Sequence, residues 1–193
     1  MRHRIPIKSR FAAVLVAAIL AAAAPAGAAP ADDLREAQKL YGQGKVQSAL
    51  DKVEAILGAQ SKDAQGRFLK GILLTELKRT AEAIQVFTGI TEDFPELPEP
   101  YNNLAVLYAQ QGNYEKARSA LELAIQTYPS YATAHENLGD VYAQLASRAY
   151  ARALQFDKDN TAAQGKLALI KDLLSSGKPA GQRPQASRAA AAK

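Results

Sequence analysis

The sequence predicts an all-α fold made of repeated helical hairpins, because similar residues recur every 34 positions within amphipathic segments. A fixed period of about 20 to 50 residues is typical of repeat architectures. Each unit of such a protein buries its apolar face on its neighbour, so the units stack in chain order. Four columns share the interval: Ala37, Gly71, Ala105 and Gly139; Leu40, Leu74, Tyr108 and Tyr142; Ala49, Ala83 and Ala117; and Pro95 and Pro129.

The apolar residues within each repeat are spaced three or four positions apart, which is the period of one face of an α-helix. Gly44 and Gly112 lie between such segments and predict the turns of helical hairpins. Pro98 and Pro100 predict the start of a helix, where the N–H that proline lacks is not needed. Two segments show the apolar face clearly: Val46, Ala49, Leu50, Val53, Ile56 and Leu57, and Ala83, Ile84, Phe87 and Ile90.

These residues resemble the tetratricopeptide repeat family, whose pattern is a large residue, Leu-Gly, Tyr, Ala-x-x-x-Phe and Pro. Lys70 departs from the pattern in repeat two, and repeat one has no closing proline. The resemblance covers about residues 33–160 and implies a solenoid of about four repeats, over residues 32–157, with a concave groove. Repeat three matches best, through Tyr101, Leu104, Ala105, Tyr108, Ala117, Leu121 and Pro129.

The fourth repeat lacks the residues of its turn. In repeats one to three the small residue of the first helix precedes the Ala of the second by 12 positions, as in Ala105 and Ala117. In repeat four Ala146 follows Gly139 by only 7, so five residues are missing. Because no Gly, Pro or Asn interrupts residues 141–156, the sequence predicts one long helix in place of a hairpin.

Two further segments complete the carboxyl end. Residues 158–175 predict an amphipathic helix that caps the stack, with Asn160 as its N-cap. Residues 176–193 are rich in Ala, Ser, Gly, Pro and basic side chains and predict a disordered basic tail.

Residues 1–28 have the pattern of a secretory signal peptide. Four basic residues precede an apolar run from Phe11 to Ala24, and Pro25 and Ala26-Gly27-Ala28 follow it. An uncleaved anchor is the alternative, but the 14-residue run is shorter than the roughly 20 residues that a spanning helix needs. We therefore expect cleavage near Ala29, no stable membrane insertion afterwards, and a periplasmic or secreted product of the general (Sec-type) route. Since the chain has no Cys, a lipid-bearing cysteine is excluded.

The composition argues against nucleic acid as a partner. The formal charge is +5, but four of the 24 basic residues lie in the first 28, which leaves 20 basic against 19 acidic residues. The chain therefore lacks the basic excess of a nucleic-acid-binding surface.

No constellation of residues predicts catalysis, a metal or a cofactor. His135 is the only histidine after the predicted cleavage site, so neither a triad nor a metal cluster is complete. The acids of Asp157-Lys158-Asp159-Asn160 lack the glycine and the glutamate of a calcium loop, so a helix end and the next N-cap are expected there. Glu136 and Asp140 are interpreted as two solvated acids.

Rotation by about 100° per residue predicts which side chains face the groove. In the family, an asparagine at the place of Asn103 and Asn137 often holds a ligand's backbone, and the absence of Lys and Arg here makes recognition of a terminal carboxylate unexpected. Phe68 and Leu69 have an alternative reading, in which they pack on the neighbouring hairpin. The predicted partner-binding residues are Phe68, Leu69, Ile72, Asn102, Asn103, Val106, Gln110, Asn137 and Asp140.

The function expected from the resemblance is a non-catalytic scaffold or assembly factor of the bacterial periplasm that binds a protein or peptide partner. Two alternatives remain open at this point, an accessory subunit of an envelope enzyme and a self-associating structural protein. If the groove is exposed as predicted, replacing Phe68 and Ile72 with polar residues would leave stability nearly unchanged.

Overall fold

A computed structural model describes residues 28–176, and within that range the chain forms eight helices and no strand. The predicted cleavable segment and the predicted tail lie outside the described residues, apart from Ala28 and Ser176. The all-α prediction is confirmed. The helices are α1 (Ala28–Gly42), α2 (Val46–Ala59), α3 (Ala64–Glu76), α4 (Thr80–Asp93), α5 (Pro98–Gln110), α6 (Tyr114–Thr127), α7 (Ala132–Phe156) and α8 (Thr161–Ser176).

The described residues divide into two compact units, residues 28–141 and 142–176. In the first unit α1 packs on α2, α3 on α4, and α5 on α6, which makes three hairpins. The second helix of each hairpin also packs on the first helix of the next, α2 on α3 and α4 on α5. This order of contacts is the stack that the 34-residue period predicts.

The three hairpin turns share one backbone conformation. Gly44 and Gly112 both have φ of 75°, and Lys78, halfway between them, has φ of 63°. After each turn a backbone N–H reaches back five residues, from Lys45 to the Leu40 carbonyl oxygen at 3.0 Å and from Arg79 to that of Leu74 at 2.9 Å. These bonds satisfy carbonyls that the helix end would otherwise leave unpaired.

The two helices of a hairpin approach closely at the column of small residues. Ala37 is fully buried and Ala105 is 1% exposed. A Cβ added to Gly71 would lie 2.6 Å from the ring of Phe87, which is itself fully buried. Glycine is therefore required where a phenylalanine of the second helix rests on the first.

The fourth repeat follows the sequence prediction. Residues 132–156 form the single helix α7, 25 residues long, with no turn at the place of the earlier ones. In the second unit, the Asn160 side chain accepts a hydrogen bond from the Ala163 N–H at 2.9 Å, which confirms it as the N-cap of α8. Lys166 of α8 lies over the ring of Tyr150 of α7, 5.6 Å from its centroid. That α8 caps the stack stays a prediction.

None of the helices in the described residues combines the length and the apolar character needed to span a membrane.

Replacing Lys78 with glycine should stabilise the protein. A side chain in the left-handed region costs roughly 1–2 kcal/mol, and glycine removes that cost while adding some freedom to the unfolded chain. We expect Lys78→Gly to raise the free energy of unfolding by about 0.5–1 kcal/mol in urea titration. Lys62→Gly, in the turn before α3 where φ is negative, is the matched control and should lower it or leave it unchanged. A loss of stability in Lys78→Gly would contradict this account of the turn.

Candidate partner-binding surface

Helices α3 and α5 and the first part of α7 carry all nine predicted binding residues at positions that repeat along the chain. The structure buries five of the nine: Phe68 (6% exposed), Leu69 (5%), Asn102 (4%), Val106 (8%) and Asn137 (4%). The expectation that these five face solvent is wrong. The prediction from helical rotation assumed that each inner helix has one packed face. Helix α3 instead packs on both α2 and α4 and also contacts α1.

Phe68 shows the error most clearly. Its ring packs edge-on against that of Phe87 of α4, with centroids 5.6 Å apart and planes at 69°. An edge-to-face aromatic pair of this kind stabilises the core by more than the burial of its apolar area alone. Phe68 and Leu69 are therefore core residues, but Phe68 packs on the second helix of its own hairpin and not on the neighbouring hairpin that the alternative reading named. Polar replacement of Phe68 is expected to destabilise the fold.

The two buried asparagines bind each other. Nδ2 of Asn137 donates to Oδ1 of Asn102 at 2.7 Å, which links α7 to α5 across 35 residues. Oδ1 of Asn137 is buried without a hydrogen-bond partner. Asn103 donates from Nδ2 to the Glu99 carbonyl oxygen at 2.9 Å, one turn earlier in its own helix. The two amides that the resemblance assigns to a ligand backbone thus bind within the protein in this structure.

The accessible part of these helices is acidic and polar. Of the nine predicted residues, Gln110 and Asp140 are exposed and Ile72 and Asn103 are half-buried. Sequence reasoning did not assign a binding role to Glu76 or Glu136, although they occupy the columns of Gln110 and Asn102, nor to Glu99, one turn before Asn103. We call the four carboxylates the acidic strip: Glu76, Glu99, Glu136 and Asp140.

No Lys or Arg occupies the columns of these four carboxylates, so no basic residue at an equivalent position balances their negative charge. Although Asp140 as a residue is exposed, partial desolvation of its carboxyl group, and then the charge of Glu136 one turn away, raise its pKa. Burial raises the pKa of Tyr131 to about 12, with a further contribution from Glu99. Burial and the charge of Glu76 likewise raise the pKa of Tyr41. In each case burial is the larger cause, and the nearby carboxylate adds a smaller contribution of the same sign.

Several basic residues of α2–α4 form ion pairs with acids of neighbouring helices. Lys70 lies 2.8 Å from Glu54, which joins α3 to α2. Arg67 pairs with Asp93 across the α3–α4 hairpin, and Lys52 lies 3.2 Å from Glu36. Each of these pairs joins two adjacent helices of the first unit.

The residues considered for chemistry have structural roles in the described chain. Nε2 of His135 forms a hydrogen bond with the Pro129 carbonyl oxygen at 2.9 Å, in the loop that precedes α7. Oδ1 of Asp157 accepts from the Asp159 N–H at 3.2 Å, so this segment is a turn between helices. Residues 28–176 contain no group of three side chains suited to hold a metal ion.

Comparisons with known proteins agree with the repeat pattern. Two sequence models of the tetratricopeptide repeat family match the chain, over residues 34–98 and 74–138. Together they span residues 34–138, more than half of the 193 residues. The chloroplast protein PYG7 of Arabidopsis thaliana, which contains a tetratricopeptide repeat domain, is 34% identical over 96 residues. The alignment covers 47% of this chain and 31% of the relative, so the chain spans about a third of its length.

Solved structures with the same architecture show the fold. A tetratricopeptide repeat protein of Thermus thermophilus has a TM-score of 0.58 at 24% identity, over 77% of this chain and 84% of its own. The first repeat domain of human RPAP3, bound to the HSP90 peptide SRMEEVD, has a TM-score of 0.57 at 17% identity, over 61% and 93%. YrrB, a repeat protein with an unusual peptide-binding site, has a TM-score of 0.53 at 25% identity, over 55% of each chain.

Proposed function

Because the chain belongs to the tetratricopeptide repeat family, we propose that it is a non-catalytic scaffold that binds a protein or peptide partner through the acidic strip. Domains of this fold generally serve protein–protein interaction, and one structural neighbour was solved with a bound peptide. The observation that carries the proposal is the acidic strip itself, in which four carboxylates of α3, α5 and α7 have no basic residue at the equivalent positions of the other repeats.

The charge of the strip defines the partner's chemistry. Complementary charge at an interface steers association and rejects partners of the same sign. A segment rich in Lys or Arg would bring positive charge to Glu136 and Asp140, which lie one helical turn apart on α7. The peptide bound to RPAP3, SRMEEVD, has the opposite character, with three acidic residues. We propose that this chain selects basic segments and rejects acidic ones.

The export of the protein is a separate proposal, supported by the sequence of residues 1–28. If the segment is a signal peptide, the chain recovered from the periplasm or the medium should begin near Ala29. Intact-mass measurement after cell fractionation reads this directly. A full-length chain found only in the membrane fraction would contradict export and favour an anchor.

Peptide binding tests the proposed function. We expect a charge-reversed peptide, SRMKKVK, to bind more tightly than SRMEEVD in fluorescence anisotropy, and raised salt to weaken that binding because screening acts on exposed charges. The double variant Glu136→Gln/Asp140→Asn should weaken SRMKKVK binding by roughly 2- to 30-fold, since exposed charge pairs contribute about 0.2–1 kcal/mol each.

The double variant Glu92→Gln/Glu96→Gln removes the same charge from exposed positions outside the strip and should bind SRMKKVK as the unaltered protein does. If the control weakens binding equally, the effect is one of net charge and the strip is not the contact surface. Equal binding of the two peptides would contradict the proposed selection.

A further inference from the structure

The first helix of every complete repeat is covered by its hairpin partner. In repeat three Leu104 is 6% exposed and Ala105 is 1% exposed, because α6 lies on them. The second helices contribute three residues each to this interface, at offsets of zero, four and seven. All nine are buried, with at most 8% exposure: Ala49, Val53 and Ile56; Ala83, Phe87 and Ile90; and Ala117, Leu121 and Ala124.

The corresponding face of α7 is open. Gly139 stands in the column of Gly71 and Ala105, yet it is exposed and has no atom within 4 Å of a Cβ placed on it. Tyr142, in the column of Tyr108, is 48% exposed. Leu138, in the column of Leu104, is only half-buried. Within residues 28–176, the face that a hairpin partner covers in the three earlier repeats therefore has no such partner in repeat four.

The segment that should cover this face is present in the chain, further along the same helix. Ala146, Tyr150 and Ala153 repeat the offsets of zero, four and seven. All three are half-buried, whereas their counterparts in the other repeats are buried. Since residues 132–156 form one continuous helix, its second half cannot fold back on its first.

We propose that the protein forms a homodimer in which two α7 helices pair antiparallel, so that residues 146–156 of each copy complete the fourth hairpin of the other. Loss of a hairpin turn is a known route to exchange of identical elements between copies. The contact is the same on both copies, as a two-fold dimer requires.

The register of the earlier hairpins supports this pairing. Gly71 faces Phe87 in repeat two. When the five missing residues of repeat four are allowed for, the equivalent residues there are Gly139 and Tyr150. Placing Gly139 of each copy against Tyr150 of the other puts the two-fold axis between Gln144 and Leu145. That point is the middle of the 25-residue helix, so the two helices overlap along their whole length.

The sequence of α7 itself identifies the occupant as a second copy. Residues 146–156 of this chain carry the offsets of zero, four and seven by which the earlier second helices cover the matching face. At about 100° per residue, Arg148 lies about 180° and Arg152 about 140° around α7 from Gly139, so their charges face away from the contact and take no part in it.

Light scattering coupled to size exclusion tests the proposal on the protein purified from cells. We expect twice the mass of one chain for the unaltered protein. Inserting Gly-Asn and three polar residues after Leu145 restores the missing turn, so residues 146–156 can fold back within one copy and a monomer is expected.

Two exposed glycines provide a matched pair that does not depend on the insertion. Gly139→Gln should give a monomer, because the side chain would occupy the place of the partner's Tyr150, whereas Gly165→Gln, in α8 and equally open, should stay dimeric. Both variants should keep the helical circular dichroism of the unaltered protein. A monomeric unaltered protein, a dimeric Gly139→Gln variant, or dissociation of both variants would each overturn the proposal.

Discussion

The close approach of paired helices at one small residue per repeat is the constraint on which the structure depends. Gly71 lies directly under the ring of Phe87, with no space for a Cβ, and Ala37 and Ala105 fill the same place in the neighbouring repeats. At this separation the second helix buries its Ala-x-x-x-Phe face completely. Each hairpin turn contains one residue with positive φ, Gly44, Lys78 or Gly112, and reverses the chain so that the second helix can pack closely on the first.

The same packing decides what surface remains for a partner. An inner helix that contacts the helices before and after it has only a narrow accessible side, and Phe68, Leu69 and Val106 lie in its packed part. The apolar groove expected from rotation alone is therefore absent from this part of the chain. The acidic strip remains at the surface, so the recognition that we propose rests on charge and hydrogen bonding and not on an aromatic anchor.

The fold could be predicted from the sequence because its signals are local and repeated. Gly44 and Gly112 lie at turns as predicted, and the five missing residues of repeat four predict the long α7. Lys78 shares their column and could have been found as a positive-φ position from the spacing alone. The Asn102–Asn137 hydrogen bond could not be predicted, because it joins two helices at a distance that no pattern within one helix contains. The prediction that Phe68 is exposed failed for the same reason, because its burial depends on the position of Phe87 in another helix.

A double-mutant cycle at Gly71 and Phe87 tests the close-approach account most directly. Repeat three carries Ala105 and Leu121 in these columns, so Gly71→Ala with Phe87→Leu gives repeat two the pair of repeat three. Gly71→Ala alone should lower the free energy of unfolding by about 1–3 kcal/mol, because the added methyl overpacks the contact. In the double variant the smaller leucine relieves that overlap, and the loss should be less than the sum of the single losses by about 0.5 kcal/mol or more. Strictly additive losses in urea titration would contradict the account, since they would mean that the two residues do not limit each other's size.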